Sequence, residues 1–144
     1  MSADGKTATG RCLCGGVRFA MAETPAISVC HCETCRRWSG APMMAVHPEG
    51  GVDLQADGTL VWYRSSDWAP RGFCSACGTS LFYRLAETPS YISVSAGALD
   101  DPGTIKAIGN HIFVDEKPAF YDFADAAPRL TGAEAMAEFT GEEQ

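Results

Sequence analysis

All seven cysteines of this chain fall in three short clusters. Cys12-Leu13-Cys14-Gly15 is the first, Cys30-His31-Cys32-Glu33-Thr34-Cys35 the second, and Cys74-Ser75-Ala76-Cys77-Gly78 the third. Cysteines at C-x-C and C-x₂-C spacing present their sulfurs side by side on tight turns, which is what a thiophilic metal requires. A fold built on such clusters must bring together turns that lie far apart in sequence. An odd number of cysteines does not close into a simple disulfide framework. Met1 to Arg11 lacks the apolar stretch of a secretory leader, and nothing approaches the ~18 apolar residues of a membrane span. A cytoplasmic location is therefore expected. In a reducing compartment, clustered cysteines bind metal or do redox chemistry more often than they form structural disulfides.

The formal charge of -7 points the same way. It disfavours nucleic acid and anionic membrane as partners. Thiolates bound to a metal would make the chain more negative still. A small molecule is the expected partner. The 144 residues suit one domain with a real core, and neither a linker nor an internal repeat breaks the chain.

Short strand patterns and turn residues dominate the rest. Met1 to Thr7 is polar and expected to fray. Ala8 to Cys14 and Val17 to Ala22 read as a hairpin around Gly15-Gly16, and Ala26 to Val29 leads straight into the second cysteine cluster. Glu33 to Trp38 suits a helical turn that Ser39-Gly40 ends. Further strands are expected at Pro42–His47, Val52–Gln55, Leu60–Arg64, Thr79–Leu85, Tyr91–Ser95, Ile105–Ile108 and His111–Val114, with a terminal helix at Ala133–Phe139 and an acidic tail from Gly141 to Gln144. No long helical pattern occurs, so the fold class is mainly β with few short helices.

Zinc takes four ligands in a tetrahedron. Cys74 and Cys77 form a C-x₂-C-G knuckle, and Cys12 and Cys14 a C-x-C-G clip. Together they make a closed four-cysteine site that would pin the first hairpin to the later half of the chain. Cys30, Cys32 and Cys35 remain. Three thiolates on one metal leave the fourth position open, which distinguishes a catalytic zinc from a structural one. That position suits water or a substrate thiol, whose pKa the metal would lower. The spacing also lets Cys30 or Cys32 join a knuckle instead, and the plainer alternatives to a metal at the triad are buried reduced thiols or a dithiol redox pair with a bystander.

Three stretches carry a resemblance. Gly10-Arg11-Cys12-Leu13-Cys14-Gly15-Gly16-Val17, Cys30-His31-Cys32-Glu33-Thr34-Cys35-Arg36-Arg37 and Arg71-Gly72-Phe73-Cys74-Ser75-Ala76-Cys77-Gly78-Thr79 resemble the glutathione-dependent formaldehyde-activating enzyme family, which includes the centromere protein V domain. His111-Ile112-Phe113 and Lys117-Pro118-Ala119-Phe120 match its carboxy-terminal pattern, so the resemblance covers about residues 9–130 of a single domain, 1–144. It implies a β-tent of short antiparallel sheets pinned by zinc. It implies two zinc ions per chain, one structural on Cys12, Cys14, Cys74 and Cys77, one catalytic on Cys30, Cys32 and Cys35. The implied activity is that of a carbon–sulfur lyase, joining glutathione and formaldehyde into S-hydroxymethylglutathione or splitting that adduct. The family's eponymous enzyme is longer than this compact chain, so fold and metals transfer more readily than the substrate.

Other residues are weighed against plainer roles. Arg36 and Arg37 follow the third thiol and suit the carboxylates of a glutathione-like substrate, or else are solvated charges on a helical turn. Trp38, three residues past Cys35, is the best pocket-lining aromatic, while Trp62 and Trp68 read as core or rim residues. Arg71 is a second candidate for binding an anion. His31, between two ligands of one clip, should point away from the metal, though an imidazole so placed could move a proton. His111 reads either as lining the site or as a hydrogen-bonded structural residue, His47 as a surface residue, and Glu33 as favouring the start of its helical turn. Three functions remain open on the residues alone: a zinc-dependent carbon–sulfur lyase, a non-catalytic zinc-stabilised binding module, and a thiol-redox enzyme cycling Cys30, Cys32 and Cys35 between thiol and disulfide.

Overall fold

The computed structural model describes residues 6–142. The first strand, β1 (Thr7–Arg11), pairs antiparallel with β2 (Val17–Ala22), from Thr7 opposite Ala22 to Arg11 opposite Arg18. β5 (Val52–Ala56) adds to the other edge of β2 and completes a three-stranded sheet. Alternation explains its orientation: Val17, Phe19 and Met21 of β2 are buried, as successive side chains of a strand face opposite sides.

The second sheet has seven strands in the order β10-β3-β4-β9-β8-β7-β6. These are β3 (Ala26–Cys30), β4 (Met43–Val46), β6 (Leu60–Tyr63), β7 (Arg71–Cys74), β8 (Ser80–Arg84), β9 (Ile92–Ser95) and β10 (Ala107–Ile112). One apolar core joins the two sheets: Val17, Phe19 and Met21 meet Val29, Val46, Leu81, Phe82, Ile92 and Val94. Phe19 meets Phe82 edge-on with ring centroids 5.4 Å apart, and Trp62 stacks on the same Phe82 ring at 5.9 Å.

The mainly β class and the short antiparallel sheets agree with the expectation from sequence. One pairing differs. The two strand pieces expected at Ile105–Ile108 and His111–Val114 form a single strand, β10, which runs parallel to β3 with a register shift between Ile108 and Asn110. The chain reaches β3 through two short 3₁₀ turns, Ala96–Ala98 and Pro102–Thr104, and a parallel neighbour needs such a crossover. Thr7 opens β1 where fraying was expected, while residues 1–5 lie outside the described residues.

α1 (Glu33–Ser39) follows β3 directly and ends at Gly40, whose φ of 79° and N–H bonded to the Arg36 carbonyl close the helix. After β10 the chain turns back, and β10 receives it: His111 N–H donates to the Pro128 carbonyl at 2.8 Å, and Leu130 N–H to the His111 carbonyl at 2.9 Å. α2 (Gly132–Glu142) then starts on a reciprocal cap. Thr131 Oγ1 accepts the Glu134 N–H at 3.1 Å, and a Glu134 carboxylate oxygen accepts the Thr131 N–H at 2.9 Å. The acidic tail expected from Gly141 is helical to Glu142, and its last two residues lie outside the described ones. Among the described residues no helix is long and apolar enough to cross a membrane.

Candidate metal centres

Two knuckles of similar construction face each other. In the first, Cys12 N–H donates to the Val17 carbonyl at 3.0 Å and Gly15 N–H to the Cys12 carbonyl at 3.2 Å. In the second, Cys74 N–H donates to the Thr79 carbonyl at 3.0 Å and Gly78 N–H to the Cys74 carbonyl at 2.7 Å. Gly15 and Gly78 sit at φ of 82° and 79°, the left-handed backbone that turns the chain just past the second sulfur. The knuckles are tied together by Thr79, whose hydroxyl accepts the Leu13 N–H at 3.0 Å and lies 3.1 Å from Cys77 Sγ.

The four sulfurs of Cys12, Cys14, Cys74 and Cys77 lie within 4.8 Å of one another. Cys12 and Cys14 Sγ are 3.6 Å apart, Cys14 and Cys74 Sγ 3.7 Å. A zinc ion with sulfurs at about 2.3 Å in a tetrahedron has sulfur–sulfur edges of about 3.8 Å. The donor set and its spacing therefore fit zinc. Cys77 is pulled down to about 5, first by the Thr79 hydroxyl. Cys14 is pushed up to about 12: the Gly16 N–H favours its thiolate, but shared hydrogen bonds with Cys12, Cys74 and Cys77 outweigh it. Sulfurs this close compete for one another's protons, and a divalent cation lets all four ionise.

The second cluster sits where β3 runs into α1. Cys30 ends the strand, Cys32 caps the helix, and Cys35 lies in its first turn. The Cys32 sulfur accepts the Cys35 N–H at 3.4 Å. All three sulfurs lie within 4.8 Å of one another, and no His, Asp or Glu of the described residues completes the group. Met43, Ala45, Trp38 and Tyr83 pack around them. Cys32 is pulled down to about 2 by hydrogen bonds from the Cys30 and Cys35 thiols. Cys30 is pushed up by its bonds to Cys32 and Cys35 and by burial. Arg71 is 4% exposed and lays Nη1 3.5 Å from Cys35 Sγ, with Nε donating to the Ser65 hydroxyl at 3.1 Å.

Behind the triad runs a buried polar chain. His31 turns away from the sulfurs. Its Nδ1 is 2.8 Å from the Tyr121 hydroxyl and its Nε2 2.9 Å from His111 Nδ1. His111 Nε2 lies 2.9 Å from an Asp125 carboxylate oxygen. The spacing lets the bonds run one way: Tyr121 O–H to His31, His31 N–H to His111, His111 N–H to the Asp125 carboxylate. His31 is lowered to about 4, by burial first and then by His111. Burial would raise Asp125, but the hydrogen bonds from His111 and the Ala127 N–H hold its carboxyl below the usual range. Tyr121 and Asp125 escaped the sequence reading. They lie in irregular backbone, where no periodicity marks an inward-facing side chain.

The sequence profile described as glutathione-dependent formaldehyde-activating enzyme matches residues 7–116, which hold all seven cysteines. The chain belongs to this family. An uncharacterized lyase of Schizosaccharomyces pombe is 35% identical over 135 residues, covering 88% of this chain and 93% of the relative. A Halomonas elongata protein carrying the family's name is 26% identical over 119 residues, 76% of each chain. A crystal structure of a Rhodobacter sphaeroides protein superposes with a TM-score of 0.52 at 23% identity, covering 64% of this chain and 87% of that one, which is a likeness of fold.

Arg36 is half-buried and its Nε donates to the His31 carbonyl at 3.1 Å. Arg37 is exposed and pairs with Glu33 one helical turn earlier at 2.8 Å. Glu33 lies in the first turn of α1, and its N–H is taken by a Glu116 carboxylate oxygen at 2.9 Å. Trp38 packs on the triad, Trp62 carries the Arg84 guanidinium over its ring at 3.7 Å, and Trp68 is exposed. His47 is an exposed residue bonded to the Ser93 hydroxyl at 2.8 Å. Two surface concavities, one lined by Thr9, Arg18, Asp53 and Asp100, the other by His47, Thr88 and Tyr91, contain no cysteine.

Proposed function

We propose that the chain is a zinc-dependent carbon–sulfur lyase acting on a thiol–aldehyde adduct, with S-hydroxymethylglutathione, formed from glutathione and formaldehyde, as the substrate that the family supports. The observation carrying this reading is the contrast in donor count: four clustered sulfurs at one centre, three at the other. The four-sulfur centre has no position left for a substrate, so Cys12, Cys14, Cys74 and Cys77 serve the fold. Cys30, Cys32 and Cys35 would hold a second zinc with one coordination position free.

That ion would supply Lewis acidity, keeping a thiol substrate ionised at neutral pH. In the forward direction the thiol loses its proton and its sulfur forms a bond to the aldehyde carbon. The carbonyl π pair moves to oxygen, which takes up one proton, and the reverse order splits the adduct. The chain's own residues orient the partners. Trp38, Met43 and Tyr83 exclude water from the sulfur side. Arg36 and Arg37, on α1 just past Cys35, meet the carboxylates of a glutathione-like thiol, with Arg36 Nη atoms free to do so while its Nε stays on the His31 carbonyl.

The test is direct. Reduced, zinc-loaded protein is mixed with glutathione and ¹³C-formaldehyde, and the adduct signal is followed by NMR against the uncatalysed rate. Acceleration that Cys35→Ser abolishes supports the reading. Acceleration with simple thiols but not with glutathione would move the substrate class. No acceleration with any thiol, from protein holding both metals, would contradict it.

A further inference from the structure

Arg71 is a buried cation whose one ionisable hydrogen-bond partner among the described residues is the Cys35 sulfur. Among the described residues it takes part in no ion pair with a carboxylate. Taking an unpaired guanidinium out of water is costly, so something must offset its charge. Its contacts are specific. Nη1 lies 3.5 Å from Cys35 Sγ and 4.0 Å from Met43 Sδ, and Nε is anchored on Ser65 Oγ at 3.1 Å. The centroids of the Trp38 and Tyr83 rings lie 5.4 and 5.1 Å from its Cζ, and both ring faces attract the cation. The residue is carried by β7, the strand that ends at Cys74 of the other centre, so one short strand serves both sites.

We propose that Arg71 is the fixed counter-cation of the three-sulfur centre, and that its charge holds the metal there. The inference rests on the reading of Cys30, Cys32 and Cys35 as metal ligands. Three thiolates and a divalent cation carry a net charge of -1, and one guanidinium brings the buried group to neutrality. The charge balance also separates the two centres: at the four-sulfur centre Cys14 is exposed, and water shares the excess charge there. Arg71 acts through Cys35 and is a positioning residue, not a catalytic one.

The experiment is chelator competition for zinc on reduced, folded protein, comparing wild type with Arg71→Met and Arg71→Lys. Loss of a group that bonds a metal ligand typically lowers metal affinity by about 10–100-fold. Arg71→Met is expected to hold its first zinc as tightly as wild type and to release the second at about 10–100-fold lower chelator strength. Arg71→Lys, which keeps the charge, is expected to recover most of the loss. A merely space-filling role would give the reverse order, because methionine packs between the rings at least as well as lysine. If Arg71→Met is insoluble, Arg71→Gln takes its place as the neutral variant. Wild-type retention of both ions in the neutral variant overturns the proposal while leaving the lyase reading standing. A wild type that binds one zinc overturns both.

Discussion

Cys14 Sγ lies 3.7 Å from Cys74 Sγ, although 60 residues separate them in the chain. Cys12 and Cys74 of these turns are buried in the core, while Cys14 is exposed. The sulfurs and the Leu13 N–H bond to the Thr79 hydroxyl join the first hairpin to the β7–β8 turn. A metal bound by four thiolates contributes on the order of 10–16 kcal/mol, comparable to the roughly 5–15 kcal/mol net stability of a domain. Cys77→Ser is therefore expected to give insoluble or unfolded protein, read by circular dichroism after purification under reducing conditions. A Cys77→Ser protein with the wild-type melting temperature would remove the structural assignment.

The three-sulfur centre should behave differently. Its sulfurs sit at one β3–α1 junction and bridge no distant segments. Cys35→Ser should keep the fold, lose one zinc ion, and lose activity. Melting curves and elemental analysis on the same sample check both halves of that statement. Equal unfolding of Cys35→Ser and Cys77→Ser would sink the division of labour between the centres.

Gly78 provides a test of the knuckle geometry. A methyl group at this position would meet nothing within 4 Å, so Gly78→Ala adds no clash. The cost is backbone strain alone, at φ of 79°. For an L-residue in the left-handed region this is about 1–2 kcal/mol. At about 3–4 °C per kcal/mol for a domain of this size, the melting temperature should fall by several degrees. An unchanged melting temperature would mean that the turn does not need this conformation.

The buried His31 makes stability depend on pH in a definite direction. His31 falls from 6.5 to about 4 on folding, so between those values the unfolded chain binds the extra proton. Its contribution is complete above pH 6.5 and is lost as the pH drops toward 4, on the order of 3 kcal/mol over that window. His31→Gln should flatten the slope of unfolding free energy between pH 6.5 and 4.5, although it lowers stability throughout by breaking the chain to His111. Both proteins carry the same cysteines, so the difference in slope isolates the imidazole. Parallel slopes would rule out a neutral buried His31.

Asp125→Ala leaves His111 Nε2 without its carboxylate partner. An unpaired buried donor costs about 1–3 kcal/mol. The loss should appear as a lower melting temperature at pH 7, with both zinc ions retained, because the chain lies behind the sulfurs and not among them. Loss of the second zinc in Asp125→Ala would show that the chain positions the triad.

Much of this was legible in the residues. Short strand patterns and turn residues gave most strand positions but not β7 (Arg71–Cys74), glycine marked the knuckles and the end of α1, and the cysteine spacing grouped the sulfurs as the structure groups them. What stayed hidden depended on long-range packing. Nothing local in Ala107–Ile112 says that it will lie parallel to β3, since a strand's direction in a sheet is set by its crossover. Tyr121 and Asp125 face inward from irregular backbone, where no period of two or 3.6 marks the buried side. His31 was expected to turn from a metal, and its ring nitrogens bond to His111 and Tyr121, 80 and 90 residues away, which nothing local announces. Arg71 was visible as a charge beside the third cluster, yet its sulfur neighbour belongs to the second, 36 residues earlier.

The most direct test of two centres with different tasks is the zinc content per chain of protein purified without chelator and kept reduced, measured together with that of Cys35→Ser. Two ions in the wild type and one in the folded variant are the result expected. One ion in each would contradict the account, because the triad would then hold no metal and the lyase reading would lose its centre.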